Sequence, residues 1–382
     1  MTINEAWNKA EKRLYELYGD DLDINILSRF YTEKQAFAGV CAASVAQYFE
    51  ELASICRESV EKYNEKLIAK APVNSSLIAY LLGASELNPL PPHYICTNPE
   101  CKRVEWIDLD NDKCLFDMRH TRTCECGAEM KVDGYDIPWV TFLPYAQRLK
   151  TKDPVPENYK DLFETLTKKH FQWSLLGAAQ AVNLLGQATG VVPDEIDLSD
   201  REIKYRLLGG DFSCVHPKLA EFLKQAYTVV QPCSYAEVLK LIGLAHGTGT
   251  WKYNARDLLN GKCRLADIPA TRDEVFMMIR NAMEERGVYD TGFAYDVAEK
   301  ARKGYYAEHG MDGYTIEMFK GLGFDDWFAS YLLTVRYMST KALSVLELKY
   351  IILLTWYHTY YPKQYAEVID DEDIWEGGQN NG

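Results

Sequence analysis

Apolar positions in this chain recur mostly at helical spacing. Within 4–18, Trp7, Ala10, Leu14 and Leu17 share one helix face, and Gly19 is a stop. The stretch 33–67 is alanine-rich with few breakers, which predicts two helices packed on each other. After 68–76 (IAKAPVNSS), helical patterning resumes in SSLIAYLLG. An extended, proline-rich NPLPPHY then leads into a stretch with paired cysteines. Residues 150–158 (KTKDPVPEN) follow neither period and read as a linker. A helix is predicted within 162–185, punctuated by Gly186 and Gly190, followed by an acidic turn over 193–200 and a short helix over 217–227. From Ser234 onward the pattern is helical nearly to the end, broken by glycine turns at 246–249, 261, 304, 310–313 and 321–323. There is no internal repeat. The pattern predicts a mainly α protein with a small β component, an α+β chain.

Composition narrows this picture. A length of 382 residues suggests two or three domains, and 47% hydrophobic content is enough for a real core. The most apolar late run, 342–361, contains Glu347 and Lys349, so it reads as a buried helix and not a membrane span; no membrane partner is expected. The net charge of −14 excludes a protein that coats nucleic acid electrostatically. Six acids between 367 and 382 account for part of it, and the body without them is still at −8. Any DNA contact must therefore come from a local basic patch. The acidic tail 367–382 is expected to be disordered. The N-terminus has an amphipathic pattern, not a basic end followed by an apolar run. Ten cysteines without a secretory signal fit a reducing, cytoplasmic setting.

The clearest chemistry lies in 88–138. Cys96 and Cys101 form one pair, Cys124 and Cys126 a second. Two cysteine pairs a few tens of residues apart suit one tetrahedral Zn²⁺ held by four thiolates. A zinc knuckle usually has two residues between its cysteines; here the first pair has four and the second has one. His120 is a substitute ligand. The alternative is a loop of reduced, partly buried cysteines without metal.

At NPLPPHYIC (88–96) the chain comes to resemble a known family, the PolC-type DNA polymerase III alpha subunit. The resemblance runs from about 68 to 362. It rests on that motif, on DGYDIP-x-x-TFL (133–143), and on GLAHGTGTWKYNA (243–255). Gly261, Cys263, Leu265, Ile268, Arg272, Asp273, Arg302, Lys303, Gly304, Trp327, Tyr337, Met338, Lys341 and Ala342 follow in matching order. The resemblance implies that the cysteine module is the family's zinc insert beside the palm, and that 234–362 is the helical fingers region over nucleotide and template. In the family the second cysteine pair has two intervening residues; here Thr123 stands where the first cysteine of that pair would fall, and Cys124 is one position late. The implied organisation is an N-terminal helical region (1–87), a four-cysteine zinc module (88–143), a palm remnant (144–232), helical fingers (233–366) and the tail.

Nucleotidyl transfer in such a family needs carboxylates for two Mg²⁺ ions. The family carries an Asp-x-Asp strand soon after TFL, and a third Asp later. Here TFL runs into PYAQRLKTKDPVPEN with no Asp-x-Asp, and Ser174 stands at the third position. A hydroxyl replaces a charged ligand poorly at a hard cation. The family's Gly-rich triphosphate loop, GSRGSVGSS, corresponds to 68–76. There Val73, Ser75 and Ser76 are kept and Lys70 retains a positive charge, but Ile68, Ala71 and Asn74 replace glycines and Pro72 removes an N–H. Asp108 with Asp110, and Asp194 with Asp197, are carboxylate pairs in the wrong places. No catalytic residue is assigned, and Mg²⁺ is not expected to be held productively. After Lys341 and Ala342 the family's His and small residues have become Leu343, Ser344, Val345 and Leu346.

The expected function is therefore that of a truncated, catalytically degenerate PolC relative tied to DNA replication. It would bind DNA or a replisome subunit, with Lys70, His246, Arg272, Arg302, Lys303 and Lys341 as candidate DNA contacts. For His246 a structural role in holding the GLAHGT turn is an equal reading, and for the basic residues as a group the other reading is an ordinary mixed surface. Two alternatives stand beside this function: a DNA polymerase component completed by a partner chain, and a mobile-element or phage-derived protein that engages the replisome.

Overall fold

The computed structural model describes residues 3–110, 112–146 and 170–369. The linker expected over 150–158, the start of the helix expected from 162 and all but 367–369 of the tail lie outside these residues. α1 (Ile3–Tyr18) buries Ala6, Trp7, Ala10, Leu14 and Tyr18, the spacing of three and four that one helix face requires. Leu17 sits partly buried against the same core. α2 (Ile24–Tyr63) is a single helix of 40 residues, where two were expected over 33–67. No proline interrupts it, and a lone interior glycine such as Gly39 costs only about 1 kcal/mol. Asp23 caps its start by accepting the N–H of Asn25, and Asn64 ends it in the left-handed region, φ 54°. Phe30, Phe37, Phe49 and Leu52 share one core with α1 and with α3 (Leu77–Leu82).

Four short strands make the only sheet among the described residues: β1 (His93–Cys96), β2 (Val104–Trp106), β3 (Thr121–Thr123) and β4 (Glu129–Asp133). The order is β2-β1-β4-β3, every pair antiparallel. Register puts Cys96 at the end of β1 opposite Met130 at the start of β4. The β1–β2 and β3–β4 hairpin turns therefore lie at the same end of the sheet.

Besides short turns of helix at Leu143–Ala146 and Arg256–Leu258, the remaining α-helices among the described residues are α4 (Leu176–Thr189), α5 (Arg201–Leu208), α6 (Pro217–Tyr227), α7 (Tyr235–Ala245), α8 (Arg272–Glu284), α9 (Gly292–Arg302), α10 (Tyr305–His309), α11 (Gly313–Gly321), α12 (Asp326–Thr334), α13 (Lys341–Tyr360) and α14 (Pro362–Ile369). Residues 367–369, expected to begin a disordered tail, are the last turn of α14. Ala342, Val345, Leu346, Leu348, Ile352 and Leu354 of α13 are buried, as the pattern over 342–361 predicts. No helix of the described residues is long and apolar enough to cross a membrane.

The chain divides into two units. Unit one is Met1–Leu109, Cys114–Ile203 and Lys349–Gly382, and unit two is Asp110–Lys113 with Lys204–Leu348. In unit two, the GLAHGTGT and Arg302-Lys303-Gly304 motifs meet on one extended segment. Thr248 pairs with Tyr337 as an isolated bridge. A Cβ on Gly249 would lie 2.3 Å from the carbonyl of Thr334, and one on Gly304 would lie 2.4 Å from that of Arg336. Both glycines also have positive φ, 74° and 71°. They are glycines because the backbones touch.

Gly287 has the same backbone sign, φ 73°, with nothing within 4 Å of its would-be Cβ. Gly287→Ala should thus carry only the left-handed penalty of about 1–2 kcal/mol. Gly304→Ala adds a backbone clash and is expected to lower the urea midpoint clearly further than Gly287→Ala. Equal midpoints for the two would contradict the close approach.

Candidate functional site

The cysteine module is built by its hairpins. The β1–β2 turn carries Cys101, whose N–H donates to Asn98 at 3.0 Å. In the tighter β3–β4 turn the Cys124 N–H donates to Ala128 at 2.8 Å and the Gly127 N–H to Cys124 at 2.9 Å. Gly127 takes φ 87° there. This geometry brings all four sulfurs within 4.8 Å of one another. Cys96 and Cys126 are 3.5 Å apart, Cys101 and Cys124 3.8 Å. Four thiolates at 2.3 Å from one Zn²⁺ would be separated by ~3.8 Å along each tetrahedral edge, so the donors fit such an ion. The Ala128 N–H and the Cys96 thiol hold Cys126 down at about 6, while burial pushes Cys96 up to about 12. The cluster can hold a metal ion such as zinc despite its unequal spacing, because hairpin shape and not residue count sets the sulfur positions. Among the described residues no other group of three or more His, Cys, Asp or Glu converges in this way. His120, weighed as a ligand, is outside the cluster.

The second locus is the turn before α3. Residues Ala71–Ser75 form a 3₁₀ turn with Pro72 in its first positions, and Ser76 caps α3 by accepting the Ala79 N–H. Asn74, Ser75 and Ser76 have no exposed surface. Asn74 donates to the Ala69 carbonyl at 3.0 Å and accepts from Ser85 Oγ and the Glu86 N–H, both at 3.0 Å. Above this turn sits the carboxylate of Glu33, also fully buried. It accepts from Ser76 Oγ at 2.7 Å, the Leu77 N–H at 3.0 Å and the Ile78 N–H at 3.3 Å. Arg29 pairs with it and donates to the carbonyls of Ser75 and Ile137 at 2.8 and 2.9 Å. The first N–H groups of a helix attract an anion, and here a side chain of the same unit supplies it. Sequence reasoning missed Glu33 and Arg29, because nothing local to them marks Ser76 as a partner 43 residues on. Lys70, next to this turn, is half-buried, and burial holds its ammonium below the ordinary value.

The carboxylate pairs noted in the sequence form no such centre. Asp194 is 85% exposed with Lys349 at 3.7 Å. Asp197 accepts from the Ser199 N–H and hydroxyl, a turn of its own. Asp108 and Asp110 are exposed, and Ser174 accepts from Gln172 at 3.0 Å.

In unit two the candidate DNA contacts are drawn together around acids. Arg272, expected on a phosphate-facing surface, is instead 3% exposed and paired with Glu299 and Asp273. Arg302 donates to both oxygens of Glu299 at 3.0 Å, and Lys303 approaches it at 3.5 Å. Asp273 accepts the Lys341 N–H at 2.6 Å. Burial would raise the Glu299 carboxyl, but Arg302 and Arg272 outweigh it and hold it below the usual range. A buried guanidinium needs such partners. Lys303 keeps 58% of its side chain exposed. His246, at the end of α7, pairs through Nε2 with Glu347.

Among known proteins, the chain is similar to the DNA polymerase III PolC-type of Thermotoga petrophila, 24% identical over 483 positions that take in 93% of this chain and 34% of that protein. The counterparts of Caldanaerobacter subterraneus and Streptococcus mutans are 23% and 22% identical, covering 93% of this chain and 33% and 32% of their own length. The chain spans about one third of the length of the curated relatives it matches. The Thermotoga alignment is 483 positions long against 382 residues in the whole chain, a difference of 101. At least that many positions inside the matched stretch have no residue here. No family model matches the chain.

Burial lowers the His246 value, but Glu347 outweighs it and holds the imidazolium above its ordinary range. A raised folded value gives stability that is complete below the unfolded value of about 6.5 and is lost as pH climbs through the folded value. The thermal midpoint of the wild type should exceed that of Glu347→Gln most at pH 6, with the gap shrinking toward pH 8.5. A gap independent of pH would refute the pairing.

Proposed function

The chain is a relative of the PolC-type DNA polymerase III, and from that kinship we propose that it serves DNA replication by binding DNA or a replisome protein, without nucleotidyl transfer of its own. The observation that carries this reading is Glu33. By resemblance the turn before α3 corresponds to the family's triphosphate loop, and its polar side chains are buried and spent on internal hydrogen bonds. The N–H groups that an anionic phosphate would need are already engaged by a carboxylate. A triphosphate arriving there would meet like charge. The 101-position shortfall in the alignment, together with the missing Asp-x-Asp after TFL, supports the same reading.

The region 233–366, the fingers by resemblance, is the part proposed to touch DNA, and most of it lies in unit two. Lys303 is its best-exposed candidate contact. Arg272 is assigned to internal ion pairing, and Arg302 shares that duty with Glu299. The four cysteines are proposed to hold a structural Zn²⁺ that closes both hairpin turns. When bound, the ion cross-links the turns; the sheet and Asn98, which donates weakly to Cys126 at 3.9 Å, orient the thiols. A structural zinc of this kind contributes to folding directly.

Primer extension with Mg²⁺ and deoxynucleotides is expected to stay at background. Extension that is abolished by Asp194→Asn or Asp197→Asn would sink the proposal. Gel shifts with primer–template DNA should show binding that weakens steeply with salt and that drops for Lys303→Glu. DNA affinity absent even at low salt would leave the replisome protein as the partner.

Metal analysis of the purified chain should find one zinc per molecule. Cys101→Ser or a strong chelator should lower the thermal midpoint by several degrees without unfolding unit two. Purified protein that carries no zinc and is indifferent to chelation would remove the metal from the proposal.

A further inference from the structure

In unit two, α8 and α9 pack side by side as a hairpin, with Arg272 at the start of α8 bonded to Glu299 near the end of α9. Arg302 and Lys303 crowd the same acid, so these cations gather at one end of the hairpin. The other end is the loop 285–291. With 11 residues in α9, this loop lies ~15 Å from Lys303.

The loop is braced on both sides. Gly287, at φ 73°, ends α8 with two bonds, its own N–H to Glu284 at 2.9 Å and the Val288 N–H to Met283 at 3.0 Å. Asp290 then accepts the Gly292 N–H at 2.8 Å and leads the chain into α9. An apolar residue just past such a glycine commonly packs back on its own helix. Val288 instead keeps 44% of its surface exposed, and Tyr289 keeps 77%. Tyr314, at the start of α11, is 65% exposed and meets Phe293 in the first turn of α9 edge-on, 6.0 Å between centroids. Rigid aromatic side chains held in water offer contact area at little entropic cost, the composition that protein interfaces favour.

Acids surround these rings. Glu284, Glu285 and Asp290 on the hairpin end, and Glu317, Asp325 and Asp326 on the stretch from α11 into α12, are all exposed. The two stretches touch, because a Cβ on Gly323 would lie 3.0 Å from the guanidinium of Arg286. Arg286 is folded back, donating to the Ala282 carbonyl at 2.9 Å. Even with Lys320 counted, and Arg280 reaching Glu284 at 3.5 Å, the acids outnumber the cations two to one. Such a face repels phosphate and attracts cations.

We propose that the loop 285–291 and the facing start of α11 dock an arginine-rich segment of a partner protein. Guanidinium groups stack on tyrosine rings and pair with carboxylates through the same planar head, so they match both features of the face at once. Lysine would satisfy the acids but not the rings. The inference stands whether or not Lys303, at the opposite end of α9, touches DNA.

Fluorescence anisotropy of the full chain with a labelled peptide of alternating arginine and glycine tests the proposal. The peptide should bind saturably, and more weakly as salt rises. A lysine–glycine peptide of equal charge should bind several-fold less tightly. Tyr289→Ala, and Glu285→Lys combined with Glu317→Lys, alter exposed side chains, so their thermal midpoints should match the wild type. Each should weaken the arginine peptide roughly tenfold, whereas Lys303→Glu should leave it unchanged. Several results would overturn the proposal. Equal affinity in both hairpin-end variants would assign the binding to the overall charge of −14. Equal affinity for the two peptides would remove the stacking. Loss of the DNA gel shift in Tyr289→Ala would make the loop a nucleic-acid contact, and self-association abolished by Tyr289→Ala would make the occupant a second copy of this chain. Absence of peptide binding at millimolar concentration would refute it outright.

Discussion

A single buried carboxylate organises unit one. Glu33 receives Ser76 Oγ and the first two N–H groups of α3, and Arg29, one turn before it on α2, pairs with it. Arg29 also reaches the carbonyls of Ser75 and Ile137. Four parts of the chain therefore converge on one ion pair: α2, the 3₁₀ turn, α3 and the segment leaving the cysteine module. Removing one partner of a buried pair costs roughly 3–5 kcal/mol, because the other charge is left without a counterion. The same contact fills the anion-seeking end of α3 from within. What holds the fold together also closes the place where a phosphate would dock.

The cysteine module works on a different principle. Its strands are three to five residues long, at the short end of the usual range. Tyr94, Cys96, Cys124 and Met130 make a small core of their own, and the four sulfurs gather where the hairpin turns meet. A metal at that point would join two turns that the sheet alone holds weakly.

Unit two solves its charge problem with networks. Glu299 serves Arg272, Arg302 and Lys303 together, so cations spread along the sequence end up around one acid. The pairing takes Arg272 and most of Arg302 away from solvent, while Lys303 stays largely exposed.

Much of this architecture was legible in the sequence. Spacing of three and four marked the buried face of α1, the short helix expected over 217–227 is α6, and glycine turns marked helix breaks after Ser234. These are local features, decided by propensity and by which side chains must leave water. The paired cysteines were likewise visible as donors, and the motif order pointed to the PolC-type proteins that the chain is similar to. What the sequence did not reveal depends on contacts between distant residues. Nothing local joins Glu33 to Ser76, 43 residues on, or Glu86 to Tyr350, 264 residues on. A basic residue looks the same on paper whether it faces water, like Lys12, or is buried beside an acid, like Arg272. Sequence by itself determined the helical patterning, the thiol donors and the resemblance; only the tertiary structure decided which charges are spent inside the fold and which remain available, because burial and pairing are properties of the assembled core and not of the chain.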